Sequence, residues 1–347
     1  MSDATWRSLD RLLERADVHG IRAHKLGPLA ARRLRELGRP VPELLAHDAR
    51  AAATAMLVVR ALLERVRAAC EGPLVLFKGP EVARLYPGSA RLFIDVDLLS
   101  PAAESVHRAL RAAGFTEVDD PELFVDHHHL RPLRSPTLPL SVEVHMEPAW
   151  PDKVEPPPVG EIVERARPSE LGVDGISAPD PVHHALLLAA HAWVHEPLRT
   201  LRDLADVSAV SAAADPAELE RTARAWGIPG IWRTTRAAAS MLLDGGRPTT
   251  AVRVWGRHLE QVRERSVLDN HLERWLHVFW ELPPRAAVAE LGHALRQEIF
   301  PEEEEPWRDK LTRVAYAFRH PRAPLSQHTS EWRHAASRRR EKPRSRR

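Results

Sequence analysis

The sequence is poor in cysteine and in long hydrophobic runs. Its 347 residues include a single cysteine, Cys70. One cysteine excludes a disulfide within the chain and a zinc site built from cysteines. No stretch approaches eighteen consecutive apolar residues, which predicts that no segment spans a membrane. The first residues also lack the basic-then-apolar layout of a signal peptide, so we expect a cytoplasmic protein.

Positive charge is concentrated at the C-terminus. The chain has a formal net charge of +2, but residues 333–347 alone carry eight Lys or Arg and one Glu. The remaining residues therefore carry a net charge of about −5, which argues against a basic, nucleic-acid-binding body. Because residues 333–347 are also poor in apolar groups, we predict a disordered basic tail. This tail either contacts nucleic acid or an acidic partner, or only makes the chain more soluble.

Hydrophobic periodicity and Pro/Gly punctuation divide the rest of the chain into four parts. Residues 1–70 show helical periodicity, whereas residues 71–150 alternate between strand-like and helical segments. A Pro-rich linker is predicted at 151–160, and residues 161–332 are helical in pattern. This order predicts a small α/β layer between two helical regions.

Two aspartates in the segment RLFIDVDLL are candidate metal ligands. On a strand, Asp95 and Asp97 point to the same face because side chains alternate. Two carboxylates this close repel each other unless a cation lies between them. Hard oxygen ligands suit Mg²⁺, or alternatively Mn²⁺. The alternative is a surface strand with two solvated aspartates.

Candidate phosphate-binding residues lie upstream of this pair. A short apolar strand runs into Lys78-Gly79 and then into a helix. Glycine at such a turn lets a phosphate approach the backbone amides, and Lys78 adds a positive charge. Arg91, four residues before the first aspartate, is a candidate phosphate clamp. The alternatives are an ordinary turn with an exposed lysine and a surface arginine.

Glutamate and histidine side chains supply the remaining candidates. Glu143 and His145 share one face of a predicted strand. Glu143 can complete a metal cluster or act as a general base. His145 is expected to contact substrate or a ligand, or else to be hydrogen-bonded at a strand end. In the run 127–129, His128 or His129 is the candidate for a position in the catalytic cleft.

The predicted helical region adds two groups of candidates. His184, His191 and His195 fall near one face of a predicted helix, where they line the cleft or belong to the core. Arg199 and Arg202 on the next helix either approach a nucleotide or an acceptor or form a charged, exposed helical face.

These motifs together resemble a known family. The stretch LVLFKGPEVARLYPGSARLFIDVDLLSP, followed by AAGF and then VEVH, resembles the uncharacterised nucleotidyltransferase family of the DNA polymerase β-like superfamily. The similarity is close over residues 74–146, with Phe77 at a position where the family has leucine. The matching positions are Lys78, Gly79, Tyr86, Pro87, Arg91, Asp95, Asp97, Gly114, Phe115, Glu143 and His145.

The resemblance implies a fold and an activity. It implies an α+β fold, in which a polymerase β-like core of small mixed sheet and flanking helices precedes a helical C-terminal domain. Asp95, Asp97 and Glu143 would be the catalytic metal ligands, and Lys78-Gly79 would lie beside the nucleotide phosphates. The implied reaction transfers a nucleoside monophosphate from an NTP to an acceptor, with Mg²⁺ or Mn²⁺, and releases pyrophosphate.

Two other functions stay open at this point. The chain can be a nucleotide-binding scaffold or regulatory protein that keeps the fold without turnover. It can also be a toxin-like RNA nucleotidyltransferase, although this function would need a basic surface near the cleft. The acceptor is a small molecule, a peptide or protein, or RNA.

Overall fold

The computed structural model describes residues 3–118, 128–301 and 306–326. The predicted basic tail, 333–347, lies outside the described residues, as does the first residue of the histidine run 127–129. The α-helices are α1 (Asp3–Leu13), α2 (Val18–Ala23), α3 (Gly27–Glu36), α4 (Glu43–Ala69), α5 (Pro80–Ala83), α6 (Ala103–Ala112), α7 (Val159–Arg165), α8 (Pro181–His195), α9 (Leu201–Ser211), α10 (Pro216–Ala225), α11 (Pro229–Leu243), α12 (Thr250–Val254), α13 (Arg257–Gln261), α14 (Val267–Leu276), α15 (Val278–Glu281), α16 (Pro284–Ile299) and α17 (Trp307–Arg319).

The strands form one mixed sheet in the order β3-β4-β5-β2-β1-β7-β6. They are β1 (Leu74–Leu76), β2 (Asp95–Leu99), β3 (Thr116–Glu117), β4 (Leu133–Arg134), β5 (Ser141–His145), β6 (Arg167–Pro168) and β7 (Ile176–Ala178). The central strand β2 runs parallel to β5 and antiparallel to β1. The predicted mixture of helices and a mixed sheet is therefore confirmed.

The sheet extends beyond the segment in which the sequence patterns placed it. Strands β6 and β7 lie between residues 161 and 332, where only helix was expected, and β7 pairs in parallel with β1. These strands have two and three residues. Such short segments cannot display the alternation of polar and apolar residues by which a strand is recognised.

Alternating side chains of β1 enter two different hydrophobic clusters. Leu74 and Leu76 pack with α4 and α6, whereas Val75 packs with helices from both ends of the chain. The second cluster includes Leu9 of α1 and Trp232 of α11. The N-terminal helices therefore share a core with the C-terminal helical region. Within the described residues, no helix is both long enough and apolar enough to cross a bilayer.

Two buried histidines connect helices to the rest of the fold. His184 of α8 has its Nε2 2.7 Å from the carbonyl oxygen of Phe77, at the end of β1. His24, after α2, accepts a hydrogen bond at Nδ1 from the backbone N–H of Leu201, at 3.3 Å. Burial lowers the pKa of each imidazole from 6.5 to about 4. Both rings are therefore neutral in the folded protein at neutral pH.

We expect these two histidines to make the protein sensitive to acid. Their contribution is complete above pH 6.5 and is lost as the pH falls toward 4, because the unfolded chain then binds more protons. Each should cost about 1.4 kcal/mol of unfolding free energy per pH unit in this range. Urea unfolding from pH 7 to 5 measures the slope, which His184→Gln should reduce. An unchanged slope in this variant would contradict the assignment.

Candidate active site

The parallel pairing of β2 with β5 brings the acidic residues together. In the register of these strands Asp97 lies opposite Glu143, and Leu99 lies opposite His145. Asp95 and Asp97 occupy alternate positions of β2 and therefore share one face, as the spacing predicted. Asp95 and Glu143 line a cleft of about 750 Å³, whereas Asp97 is fully buried behind them.

Asp97 is a buried carboxylate with one oxygen fully engaged and one unpaired. Its Oδ1 accepts a hydrogen bond from Lys78 Nζ at 2.9 Å and lies 3.2 Å from His145 Nε2. Its Oδ2 is buried and has no hydrogen-bond partner among the described residues. Burial alone would raise the pKa of Asp97, but the Lys78 ammonium and His145 together lower it below the ordinary range. Asp97 is therefore ionised at neutral pH.

The neighbouring groups titrate in the opposite direction. Burial and the charges of Asp97 and Asp95 raise the pKa of Glu143 to about 8. Burial and the charge of Asp97 also raise the pKa of Asp95. Burial lowers the pKa of His145 to about 4. A cation bound beside these crowded carboxyl groups would stabilise their ionised forms.

One group of side chains has the geometry of a metal site. Asp97, Glu143 and His145 each offer a ligand atom, and these atoms lie within 4.8 Å of one another. The unpaired Oδ2 of Asp97 and the buried, unpaired Nδ1 of His145 are consistent with a further ligand. Carboxylate oxygens with one imidazole suit Mn²⁺ as well as Mg²⁺. This group contains His145 where the expected set had Asp95, which lies at the cleft surface.

Histidines from two segments line the same cleft. His128 lies in its wall, with its ring centroid 5.2 Å from that of His145. His191 and His195 of α8 also face the cleft, and their ring centroids lie 4.4 Å apart. The sequence left open whether the histidines of this helix lie in the cleft or in the core. His191 and His195 lie in the cleft, whereas His184 lies in the core.

The backbone conformation and the close packing at position 79 both require glycine. Gly79 has φ 56° and ψ −117°, and an added Cβ would lie 2.7 Å from the carbonyl oxygen of Asp95. The turn can pack against β2 only because Gly79 has no side chain. This close approach places Lys78 beside Asp97. The helix predicted after this turn is α5, which has only four residues.

Arg91 is buried in an ion pair that the sequence did not reveal. Its Nε and Nη2 donate to the two carboxylate oxygens of Asp206 in α9, at 2.8 and 2.7 Å. Tyr86 donates its hydroxyl to Asp206 Oδ1 at 2.6 Å, and Arg91 Nη1 donates to the Gly79 carbonyl at 3.2 Å. Arg91 therefore connects the Lys78-Gly79 turn to the helical region. No local sequence pattern distinguishes Asp206 from the other charged residues of α9, Arg202 and Asp203.

The fold and the site define a mixed α/β protein with a candidate divalent-metal centre at the floor of a charged cleft. The chain belongs to the uncharacterised nucleotidyltransferase family, whose model matches residues 9–243. The family resemblance inferred from the motifs is thereby confirmed, and the match includes the N-terminal helices and α8 to α11. No curated protein and no solved structure matches the chain.

We expect Gly79→Ala to be much more destabilising than an alanine at another glycine with positive φ. Gly114 has φ 92°, and an added Cβ there meets no atom within 4 Å. Gly114→Ala should therefore cost only the backbone strain, about 1 kcal/mol. Gly79→Ala adds the clash with the Asp95 carbonyl and should cost about 3 kcal/mol. Urea unfolding compares the two variants, and equal losses would contradict the role given to the close contact.

We expect Asp206→Leu to destabilise the fold by about 3–5 kcal/mol, because it leaves the buried Arg91 guanidinium unpaired. The two side chains are only 5% and 6% exposed. Arg91→Met combined with Asp206→Leu should cost far less than the sum of the two single changes. Unfolding free energies of the three variants measure this coupling. Additive losses would show that the two charges do not stabilise each other.

Proposed function

We propose that the protein is a metal-dependent nucleotidyltransferase that transfers a nucleoside monophosphate from an NTP to an acceptor and releases pyrophosphate. Family membership supports the reaction class. The observation that carries the proposal is the buried Asp97, whose Oδ2 is unpaired beside Glu143 and His145. We further propose that residues 71–150 form a polymerase β-like core, preceded by the helical region 1–70. Through the linker 151–160 this core would join residues 161–332, a mainly helical region that adds β6 and β7 to the sheet.

The chain's own residues fit the parts of this reaction. Asp97, with Glu143 and His145 or with the nearby Asp95, would hold Mg²⁺ or Mn²⁺. Such an ion neutralises the charge that develops on the transferred phosphoryl group. An acceptor oxygen attacks the α-phosphorus, and the bond to the bridging oxygen of the leaving pyrophosphate breaks. Glu143 either completes the metal site or accepts the acceptor's proton.

Lys78 and its neighbours hold this arrangement in place. The Lys78 ammonium keeps Asp97 ionised, and its side chain is 17% exposed at the cleft. We propose that the Lys78-Gly79 turn borders the nucleotide phosphates. Arg91 would act on them by positioning this turn, because its guanidinium is bound to Asp206 and to the Gly79 carbonyl. His128 lines the cleft, and we propose that it contacts the acceptor or the nucleotide.

One contact favours a second candidate function, a nucleotide-binding scaffold without turnover. Lys78 Nζ lies 2.9 Å from Asp97 and already supplies this carboxylate with a positive charge. If the ammonium replaced the metal permanently, the protein would bind nucleotide without transferring it. The two functions differ in one measurable property, which is pyrophosphate release.

We expect Asp97→Asn to abolish transfer, with a loss of at least about a hundredfold. The assay follows pyrophosphate release and incorporation of α-labelled nucleotide for each NTP with Mg²⁺ or Mn²⁺, with and without a cell metabolite extract. Asp95→Asn should also lower the rate, because Asp95 lines the cleft beside this centre. Asp174→Asn, at an exposed position outside the cleft, is the matched control.

Binding measurements separate the proposed functions. The Asp97→Asn variant should bind Mn²⁺ more weakly than the wild-type protein, whereas Asp174→Asn should bind it equally well. Labelling that persists unchanged in Asp97→Asn would refute the catalytic role. Nucleotide binding by calorimetry, without pyrophosphate release for any NTP or acceptor, would establish the scaffold instead.

A further inference from the structure

Three cations lie on the helical wall of the cleft, across from the carboxylates. Lys25 follows α2, Arg199 precedes α9, and Arg202 lies in its first turn. We refer to these residues as the cation cluster. All three lie outside residues 71–150, and the metal site and the Lys78-Gly79 turn make no use of them.

Two buried histidines hold the backbone of the cation cluster in place. The backbone N–H of Leu201, which precedes Arg202, donates to His24 Nδ1, and His24 directly precedes Lys25. His258 Nε2 lies 3.0 Å from the Arg199 carbonyl oxygen. The His24 and His258 rings are stacked, with centroids 5.7 Å apart. The three cations are therefore held together by contacts below the surface rather than by their own side chains.

The backbone on both sides of the cation cluster is strained. Lys25 has φ 57° and Leu198, next to Arg199, has φ 53°. Residues with a Cβ avoid this left-handed conformation, which costs about 1–2 kcal/mol. Such strain persists where surrounding contacts enforce it, and it is concentrated at binding and catalytic sites. Lys25 lies at the C-terminal end of α2, where the N–H of Leu26 donates to the Ile21 carbonyl at 3.1 Å. Beside Leu198, the carbonyl of Pro197 accepts a hydrogen bond from Arg265 Nη2 at 2.8 Å.

Positive charge in the cation cluster is only partly neutralised. Arg199 and Arg202 pair with sequence neighbours, Glu196 at 3.2 Å and Asp203 at 3.3 Å. Arg202 Nε is buried and has no hydrogen-bond partner among the described residues. Lys25 forms no ion pair within the described part of the chain. The charge of Arg202 and burial lower the pKa of Lys25, and Asp203 offsets this shift only in part, so an anion bound here would reduce the repulsion between the cations.

The other lysine and arginine side chains of the cleft are paired with buried or half-buried carboxylates. The pairs are Arg22 with Asp48, Lys78 with Asp97, and Arg91 with Asp206. Each of these three cations therefore already faces a carboxylate of another element. The incompletely neutralised positive charge among the described cleft residues lies in the cation cluster.

We propose that the cation cluster is a binding subsite for the di- or triphosphate group of a substrate. An oligophosphate carries several charges on adjacent groups and so matches three cations held side by side. It would belong to the NTP, as its β- and γ-phosphates, or to a phosphorylated acceptor. The identity of the molecule that carries this oligophosphate depends on the proposed function. The existence of the subsite does not depend on it.

Inorganic pyrophosphate tests the subsite directly. Titration calorimetry is done on the full chain with EDTA present, so that neither metal nor turnover contributes. Lys25→Gln and Arg202→Gln should each weaken pyrophosphate binding about tenfold, and the double variant should weaken it further. Arg60→Gln is the control, because Arg60 is an exposed arginine paired with Glu64 away from the cleft. Thermal unfolding verifies that all variants fold.

The outcomes distinguish an oligophosphate of the NTP from one of the acceptor, and they test the subsite separately from the proposed transferase activity. Weaker binding of NTP, with unchanged binding of the corresponding NMP, assigns the cation cluster to the nucleotide. Weaker pyrophosphate binding with unchanged NTP binding assigns it to an acceptor. Wild-type affinity for pyrophosphate in both single variants, or an equal loss in Arg60→Gln, overturns the subsite. Because pyrophosphate binding needs no transfer, a failure of the proposed activity leaves this result interpretable.

Discussion

The structure depends on the burial of one negative charge, that of Asp97. A carboxylate withdrawn from water is strongly unfavourable unless it is paired and hydrogen-bonded. Lys78 and His145 meet this requirement on one oxygen only. The ammonium can reach Asp97 because the turn at Gly79 lies against the backbone of β2. Sequence, backbone geometry and electrostatics are therefore linked at this point.

The same principle connects the sheet to the helices. Arg91 and Asp206 form a second buried pair, which joins the turn at Gly79 to α9. His184 contacts the carbonyl of Phe77 from α8. The helical wall of the cleft is thus attached to the sheet at the short segment 77–79. Helices from the N-terminus complete the core on that side, in agreement with a family match that begins at residue 9.

Local patterns predicted the parts of the site that depend on strand periodicity. Asp95 and Asp97 share a face, and Glu143 and His145 lie on the neighbouring strand, because side chains alternate with a period of two. The same patterns could not predict which charges pair across long distances, such as Arg91 with Asp206, 115 residues apart. They also missed β6 and β7, which are too short to show periodicity. The contacts of His24 and His258 depend on helix packing and have no local signature.

The distribution of charge across the cleft constrains the substrate more closely than its volume does. Carboxylates with raised pKa values lie on the sheet side, and incompletely neutralised cations lie on the helical side. The carboxylates would ionise more readily with a cation beside them, and the cation cluster would be neutralised further by an anion. A phosphate chain with a divalent cation bound near one end satisfies both walls at once. This polarity would direct the metal-bound phosphate toward Asp97 and the remaining negative charge toward Lys25 and Arg202.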